Sequence, residues 1–559
     1  MNNNALFLLL LATLLTGTRQ LSLPTDNSYV AGVVEYLVET GTQRERTSKA
    51  TAGFVKILES SDASDLDIIV FPEYVLNSPE MATFVPSPSQ NVTPCISPDY
   101  ELFMVELSCA SRARNIYVAF NVVEKELCGD GVVRSDTLSP CPASGVRLFN
   151  TNVVLDRRGQ VISRYRKSHL WRREYNSRSL IRQPELSTFE TDFGVTFGHF
   201  ICFDMLFYEP AMQLLIERNV TDIIYTTYWF SELPFLGAIQ LQEGWAYANN
   251  VNLLAADGSQ PAGRTTGSGI YAGRAGRLVA EIYEEPTIKL LKARLPKRPV
   301  AGGGPLFEMP PQVVPSFQAQ LVTPRFTRLA TYRDYNLDIF TTELLEVNFT
   351  QITNKTLCHH DFCCTFDAQR RPIGSSADHV AYRYRLGVYR GNDTTFILVD
   401  RSEQAVCAIF ACLDEQLFSC GRIFPTGTSV ANTYYFDRIR IEGVFPGAPR
   451  RLIMPSTLDG VMMPLNVAQY NWTETPPAKE LKDTRVQMEL LSPKNDLLTF
   501  GIWANYFTQL PTTHNLDHLQ PTPGANSTAP PGTDGGAGRS TIAPAATLCL
   551  LLFSLIVQL

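Results

Sequence analysis

From residue 29 to 38 the chain reads YVAGVVEYLV, a β-branched and aromatic run that predicts a buried strand. A polar stretch of helical character follows over residues 43–60. Residues 66–74, LDIIVFPEY, then form a short apolar run broken by Pro72. Strand, helix and strand in that order predict a parallel α/β unit. The pattern recurs. Residues 101–114 predict a helix and 116–123 a strand. Residues 147–155 and 160–166 flank the turn Asp156-Arg157-Arg158-Gly159 and predict a hairpin. A strand is expected over 194–203, a helix over 210–217, a strand over 222–229, a helix over 237–249 and a strand over 251–256.

Near residue 300 the texture changes. Residues 297–315 hold three consecutive glycines and several prolines and read as a linker. Beyond it, residues 316–506 are rich in Tyr, Phe, Thr and Val with frequent turn residues, which predicts a β-rich second domain. Residues 511–535 read as a flexible stalk.

The two ends have their own pattern. Residues 5–15 are an apolar run of signal-peptide length, too short to span a bilayer comfortably. Residues 546–559 are almost wholly apolar. They follow a Pro-, Gly-, Ser- and Thr-rich spacer with small residues at Gly535, Gly536 and Ala537, which matches a lipid-attachment signal. Gly535 and Gly536 are the candidate attachment sites. The expected layout is a signal peptide over 1–21, a catalytic domain over 22–300 and a β-rich domain over 301–510. The stalk at 511–535 and a removed tail at 536–559 complete it. The expected location is the extracellular face of the plasma membrane.

Composition agrees with that route. Sequons at Asn91, Asn219, Asn348, Asn354, Asn392, Asn471 and Asn526 become candidate glycan acceptors in a secreted chain. Of the 12 cysteines, Cys549 lies in the tail and Cys202 is reserved for chemistry. Cys95, Cys109, Cys128 and Cys141 lie before residue 150. Cys358, Cys363, Cys364, Cys407, Cys412 and Cys420 lie in the second half. An even number in each half predicts pairing within each half, and an oxidising compartment favours bridges over metal ligation. The formal charge of −7 argues against a nucleic-acid-binding face.

In open α/β sheets reactive groups gather at the carboxyl ends of strands. Glu73 follows the run IIVFP, Lys167 ends QVISRYRK, and Cys202 lies in GHFICFD. Each has an ordinary reading alone: a loop carboxylate, one cation in a basic stretch, a small buried hydrophobe.

Three segments decide between these readings. DIIVFPEY (67–74), RYRKSHLWRRE (164–174) and FICFDMLFYEPA (200–211) resemble the signature stretches of the nitrilase superfamily, in the right order. TGSGIYA (266–272) and TLCHHDFCCTF (356–366) resemble its vanin and biotinidase branch. The resemblance implies a nitrilase-type αββα sandwich followed by a disulfide-stapled, β-rich domain. It also implies an amide hydrolase without metal or organic cofactor. Glu73 would be general base, Lys167 oxyanion stabiliser and Cys202 nucleophile, with Glu174 helping to hold the site and Asp204 structural. A thiolate attacks best beside a cation, and the backbone N–H of Phe203 would join Lys167 at the oxyanion. Tyr228, Trp229 and Trp245 are candidates for an apolar pocket.

The resemblance implies hydrolysis of pantetheine to pantothenate and cysteamine, with biotin amides as the alternative substrate class. The chain departs from the vanin pattern after the base. Tyr74-Val75-Leu76 stand where vanins usually carry an acidic residue and a glycine-containing turn. A catalytically idle surface binder has no physical need for all three reactive groups. A papain-like protease is a poor fit, because the local motif is missing around Cys202 and His199 should face away from it.

Overall fold

β1 (Ser28–Leu37), β2 (Ile68–Val70) and β3 (Tyr117–Leu127) lie parallel and adjacent. Their near-continuous apolar character follows from burial on both faces. α1 (Gln43–Glu59) starts on a reciprocal cap: the Thr42 hydroxyl accepts from the Glu45 N–H, and the Glu45 carboxylate accepts from the Thr42 N–H. Phe54 and Leu58 of α1 and Leu107 of α2 (Leu102–Arg114) pack with Val34, Ile69 and Val118 on the outer face of this sheet. β4 (Val146–Leu155) and β5 (Val161–Arg166) continue it as the expected antiparallel hairpin. In the turn, the Asp156 carboxylate accepts from the N–H groups of Arg158 and Gln160, and Gly159 takes φ +76°.

A second sheet runs through β6 (Thr188–Glu190), β7 (Thr196–Ile201), β8 (Asp222–Thr227), β9 (Asn252–Ser259), β10 (Ser268–Ala272) and β11 (Arg277–Glu281). α3 (Gln213–Arg218) and α4 (Ala238–Asn249) connect its parallel strands. β12 (Lys289–Pro296) returns to pair antiparallel with β1. At one corner Tyr36 and Leu37 pair with Gly258 and Ser259, joining the sheets. Between the sheets lie Tyr29, Ala31, Val33, Ile68 and Val70 from one side and Phe197, Ile224 and Leu254 from the other. This is the αββα sandwich that the sequence led us to expect.

Several boundaries differ from the expectation. The strand expected to reach residue 203 stops at Ile201, and Cys202–Leu206 forms a tight 3-10 turn. The helix expected over 210–217 is a wide turn, Tyr208–Met212, leading into α3. The strand expected to end at residue 229 ends at Thr227, which frees Tyr228 and Trp229 for a loop. β6, β10, β11 and β12 were not expected.

The second domain holds β13 (Thr341–Leu344), β14 (Thr353–His359), β15 (Phe362–Pro372), β16 (Arg383–Asn392), β17 (Ser402–Cys412), β18 (Tyr434–Phe445), β19 (Arg451–Asp459), β20 (Tyr470–Thr475), β21 (Thr484–Leu490) and β22 (Leu497–Phe507). They form two five-stranded antiparallel sheets. The bridges are Cys95–Cys109, Cys128–Cys141, Cys358–Cys363, Cys364–Cys407 and Cys412–Cys420. Pairing is therefore within each half, and Cys202 is a free thiol.

β19 lies along α4, close enough that a Cβ on Gly244 would sit 2.6 Å from the Pro455 carbonyl oxygen. The computed structural model describes residues 21–97, 99–128, 141–297, 329–331, 336–345, 353–372, 380–392, 402–425, 428, 430 and 434–507. The expected signal segment to residue 20, the linker from 298, the stalk and the tail lie outside them, as do Asn348, Asn526, Gly535 and Gly536. Asn91, Asn219, Asn354, Asn392 and Asn471 are all exposed.

Candidate active site

Each candidate reactive residue stands just past a strand. Glu73 follows β2 across Phe71 and Pro72, and its N–H donates to the Thr227 carbonyl at the end of β8. Lys167 follows β5, with its N–H on the Asn150 carbonyl of β4. Cys202 follows β7 and takes φ +46°, a left-handed conformation unusual for a side chain with a Cβ.

Asp204 pins that turn. Its carboxylate accepts from the Ile201 N–H at 3.1 Å, from Tyr165 Oη at 2.7 Å and from the His169 N–H at 2.9 Å. The nucleophile turn and the loop after Lys167 are thus tied to one buried side chain. The Cys202 carbonyl accepts from Tyr225 Oη at 3.0 Å.

The structure brings the expected charged residues together. Lys167 Nζ donates to Glu73 Oε1 and to Glu174 Oε2, each at 2.8 Å. Glu174 Oε2 also accepts from the Trp171 N–H at 2.8 Å. Sequence reasoning missed Asn150, whose Nδ2 donates to Glu73 Oε1 at 2.6 Å and to Glu174 Oε1 at 2.7 Å. It also missed the Tyr228 N–H, which donates to Glu73 Oε2 at 3.0 Å. The available signal was weak: Asn150 and Asn152 share one face of the strand, but polar Thr151 stands between them and blurs the alternation.

Burial and these contacts set the charges. Burial, opposed by Lys167 and reinforced by Glu174, pushes the Glu73 carboxyl up. Burial would lower Lys167, but Glu174 and Glu73 outweigh it and hold the ammonium well above its usual range. Glu174 is brought down despite burial, chiefly by Lys167. Burial and then the Glu73 charge push the Cys202 thiol well up, against the pull of Lys167. The sequence had pointed to a cation-favoured thiolate. At rest the group is instead a thiol that needs a base.

Cys202 opens into a narrow cleft lined by Trp171, Phe203, Trp229, Phe230 and Glu232. Phe203 packs edge-on to Trp171 with ring centres 4.8 Å apart. Of the pocket candidates, Trp229 lines the cleft. Tyr228 is not among the lining residues and packs against Tyr74, with ring centres 5.2 Å apart. Trp245 does not line it: it is fully buried in the core against Phe200. Tyr74 has φ +72° and is 59% exposed, so the departure from the vanin pattern begins at an exposed aromatic residue. His199 is buried with its ring on Ser163 Oγ, and burial pushes it down to about 3. It is neutral at physiological pH.

Known proteins resemble this chain over most of its length. Residues 38–293 match the carbon-nitrogen hydrolase family and residues 329–510 the vanin C-terminal domain. Vanin-like protein 1 of Drosophila melanogaster is 40% identical over 513 residues, covering 89% of this chain and 89% of that protein. The pantetheinase of Mus musculus is 31% identical, covering 67% of each chain. Among solved structures, Saccharomyces cerevisiae Nit3, a member of the nitrilase superfamily, aligns with a TM-score of 0.37 at 17% identity, covering 50% of this chain and 93% of that one.

Proposed function

The chain belongs to the vanin branch of the carbon-nitrogen hydrolase family, and from that premise we propose that it cleaves pantetheine to pantothenate and cysteamine through a Cys202 thioester. One observation carries the proposal. A carboxylate and an ammonium, Glu73 and Lys167, meet at 2.8 Å beside a strained, buried thiol at the floor of an apolar cleft.

The chemistry follows from the charges. Glu73 accepts the Cys202 proton as sulfur attacks the amide carbon, and passes it to the departing amine. Negative charge grows on the former carbonyl oxygen, where Lys167 and the Phe203 N–H stabilise it by roughly 3 kcal/mol per good donor. Water then adds to the thioester, its proton taken by Glu73, and thiol and carboxylic acid are restored. Glu174 and Asn150 keep Lys167 and Glu73 in register throughout. The aromatic walls suit an alkyl amide, and in pantetheine a short alkyl chain flanks the amide to be cut on each side.

The test is amine release from pantetheine by residues 22–530 and by the Cys202→Ala variant. Cleavage by the native sequence alone supports both reaction and nucleophile. Cleavage by both proteins sinks the thioester route. Cleavage of biotin amides with none of pantetheine would reassign the substrate.

The same reading extends to location. Five disulfides are at home in an oxidising compartment, and the apolar tail after Gly535 and Gly536 reads as a lipid-attachment signal. Expressed on cells, the protein is expected to be released by a phosphatidylinositol-specific phospholipase. Retention after that treatment would contradict the lipid anchor.

A further inference from the structure

Where the two sheets join, a second pair of carboxyls lies outside the reaction scheme. Glu35 of β1 and Asp257 of β9 are both fully buried. Glu35 accepts from Thr266 Oγ1 at 2.6 Å, Ser268 Oγ at 2.5 Å and the Gly267 N–H at 3.3 Å. Ser268 Oγ in turn accepts from the Asp257 N–H at 2.9 Å.

The Asp257 side chain reaches the loop that carries the base. Its Oδ1 accepts from the Trp229 N–H at 3.0 Å, while the preceding N–H, that of Tyr228, donates to Glu73 Oε2 at 3.0 Å. Two consecutive peptide donors therefore serve two carboxyls, one at Glu73 and one at Asp257. The two adjacent N–H groups are thus directed to different carboxyls.

Asp257 is suited to this as a neutral acid. Its Oδ2 is buried without a hydrogen-bond partner among the described residues. Burial, reinforced by Glu35, pushes its carboxyl well up, and burial pushes Glu35 up to about 7. The other titratable groups whose charge reaches Asp257 are Glu73, Tyr225, Tyr228 and Tyr271. Burial pushes each of these tyrosines up, so they stay uncharged at working pH. A protonated Asp257 keeps a carbonyl oxygen for Trp229 N–H and adds no negative charge near Glu73.

We propose that Asp257 is a positioning residue for the hydrolysis: its Oδ1 anchors the Trp229 N–H and so fixes the neighbouring Tyr228 N–H on Glu73. The proposal rests on the reading of Glu73 as the base that activates Cys202.

The test follows Cys202 itself. Its alkylation by iodoacetamide is measured against pH in the full ectodomain, which needs no amide substrate, with thermal melting of each variant as a check on folding. Asp257→Ala leaves Trp229 N–H unpaired and releases Tyr228 N–H from Glu73. A donor that favours charged Glu73 is lost, so Glu73 takes up its proton at higher pH. One pH unit below the native midpoint, alkylation relative to its own plateau should fall roughly tenfold, the effect of a midpoint moved by about one unit. Asp257→Asn keeps a neutral oxygen acceptor and should restore the native profile.

An Asp257→Ala protein that melts normally and keeps the native midpoint overturns the proposal. So does an Asp257→Asn midpoint displaced upward, and this second comparison decides the matter even if Asp257→Ala does not fold. Glu73→Gln separates the two levels of the argument. If it leaves the alkylation profile native, the reading of Glu73 as base fails, and this proposal with it. If it alters the profile and Asp257→Ala does not, only the present proposal fails.

Discussion

Lys167 sits between two carboxylates that are not equivalent. Glu174 is drawn down by Lys167 and stays charged, whereas burial pushes Glu73 up, and the Glu174 charge pushes it further. Glu73 must be ionised to take the thiol proton, so activity falls as pH drops through its raised pKa. Glu174→Gln removes a negative charge that disfavours ionised Glu73. The acid limb of kcat/KM should therefore move to lower pH. The same change costs Lys167 one of its two carboxylate partners and weakens the hold on the Trp171 N–H. A fall in kcat of roughly 10- to 100-fold is expected, as for other groups that orient a reacting residue. A pH–rate profile checks both effects. An acid limb moved to higher pH would show that Glu174 acts on Glu73 through geometry rather than charge.

The β4–β5 hairpin is the element that delivers Lys167 and Asn150, and its turn has no room for a side chain at Gly159. Gly159 has φ +76°, and a Cβ there would meet the Ser108 carbonyl oxygen at 2.3 Å. Gly159→Ala should destabilise the protein by about 2–3 kcal/mol, through both backbone strain and displacement of α2. Urea melts test this, and a loss below about 0.5 kcal/mol would contradict it. This hairpin was legible because Asp-Arg-Arg-Gly punctuates two alternating runs. β1 and α1 were legible for similar reasons, a β-branched run and a polar stretch of helical character. Strand ends were not. The apolar run through Ile201 continues into Phe203, Met205 and Leu206 because the 3-10 turn is as buried as the strand before it. Hydrophobicity cannot mark where such an element stops. β12 was missed because exposed Lys289, Lys292 and Arg294 interrupt its apolar residues without a clean alternation. Resemblance marked Glu73, Lys167 and Cys202 as one set. Asn150 and the Tyr228 N–H escaped because one is a polar strand residue and the other a backbone donor, and only the fold places them on Glu73.

At the scale of the molecule, the second domain bears on the site from behind. Its described residues do not line the cleft, whose lining falls entirely between residues 171 and 232. What the second domain touches is the back of the same loops. Asn505 Nδ2 donates at 3.2 Å to the Leu206 carbonyl that ends the nucleophile turn. Arg450 pairs with Glu209 at 2.6 Å and stacks on Tyr208 at 4.3 Å. Gln240 Nε2 donates to Ser456 Oγ at 2.9 Å, and Thr499 Oγ1 to the Pro234 carbonyl at 2.7 Å. The apolar core around Cys202 and Phe203 continues without a break into Phe410, Met454 and Trp503. Removing the second domain would expose that face of α4 and leave the turn after Cys202 unsupported on one side. A chain ending at residue 297 is therefore expected to aggregate or to lack activity. Asn505→Ala is the sharper experiment, since it leaves the core in place. It strands a buried carbonyl at the end of the turn, a cost of about 1–3 kcal/mol in stability. Because the cleft walls are untouched, kcat should fall while KM for the amide substrate stays within about twofold. A rise in KM with unchanged kcat would instead assign the second domain to the substrate's path. Full activity of the truncated chain would remove it from the mechanism.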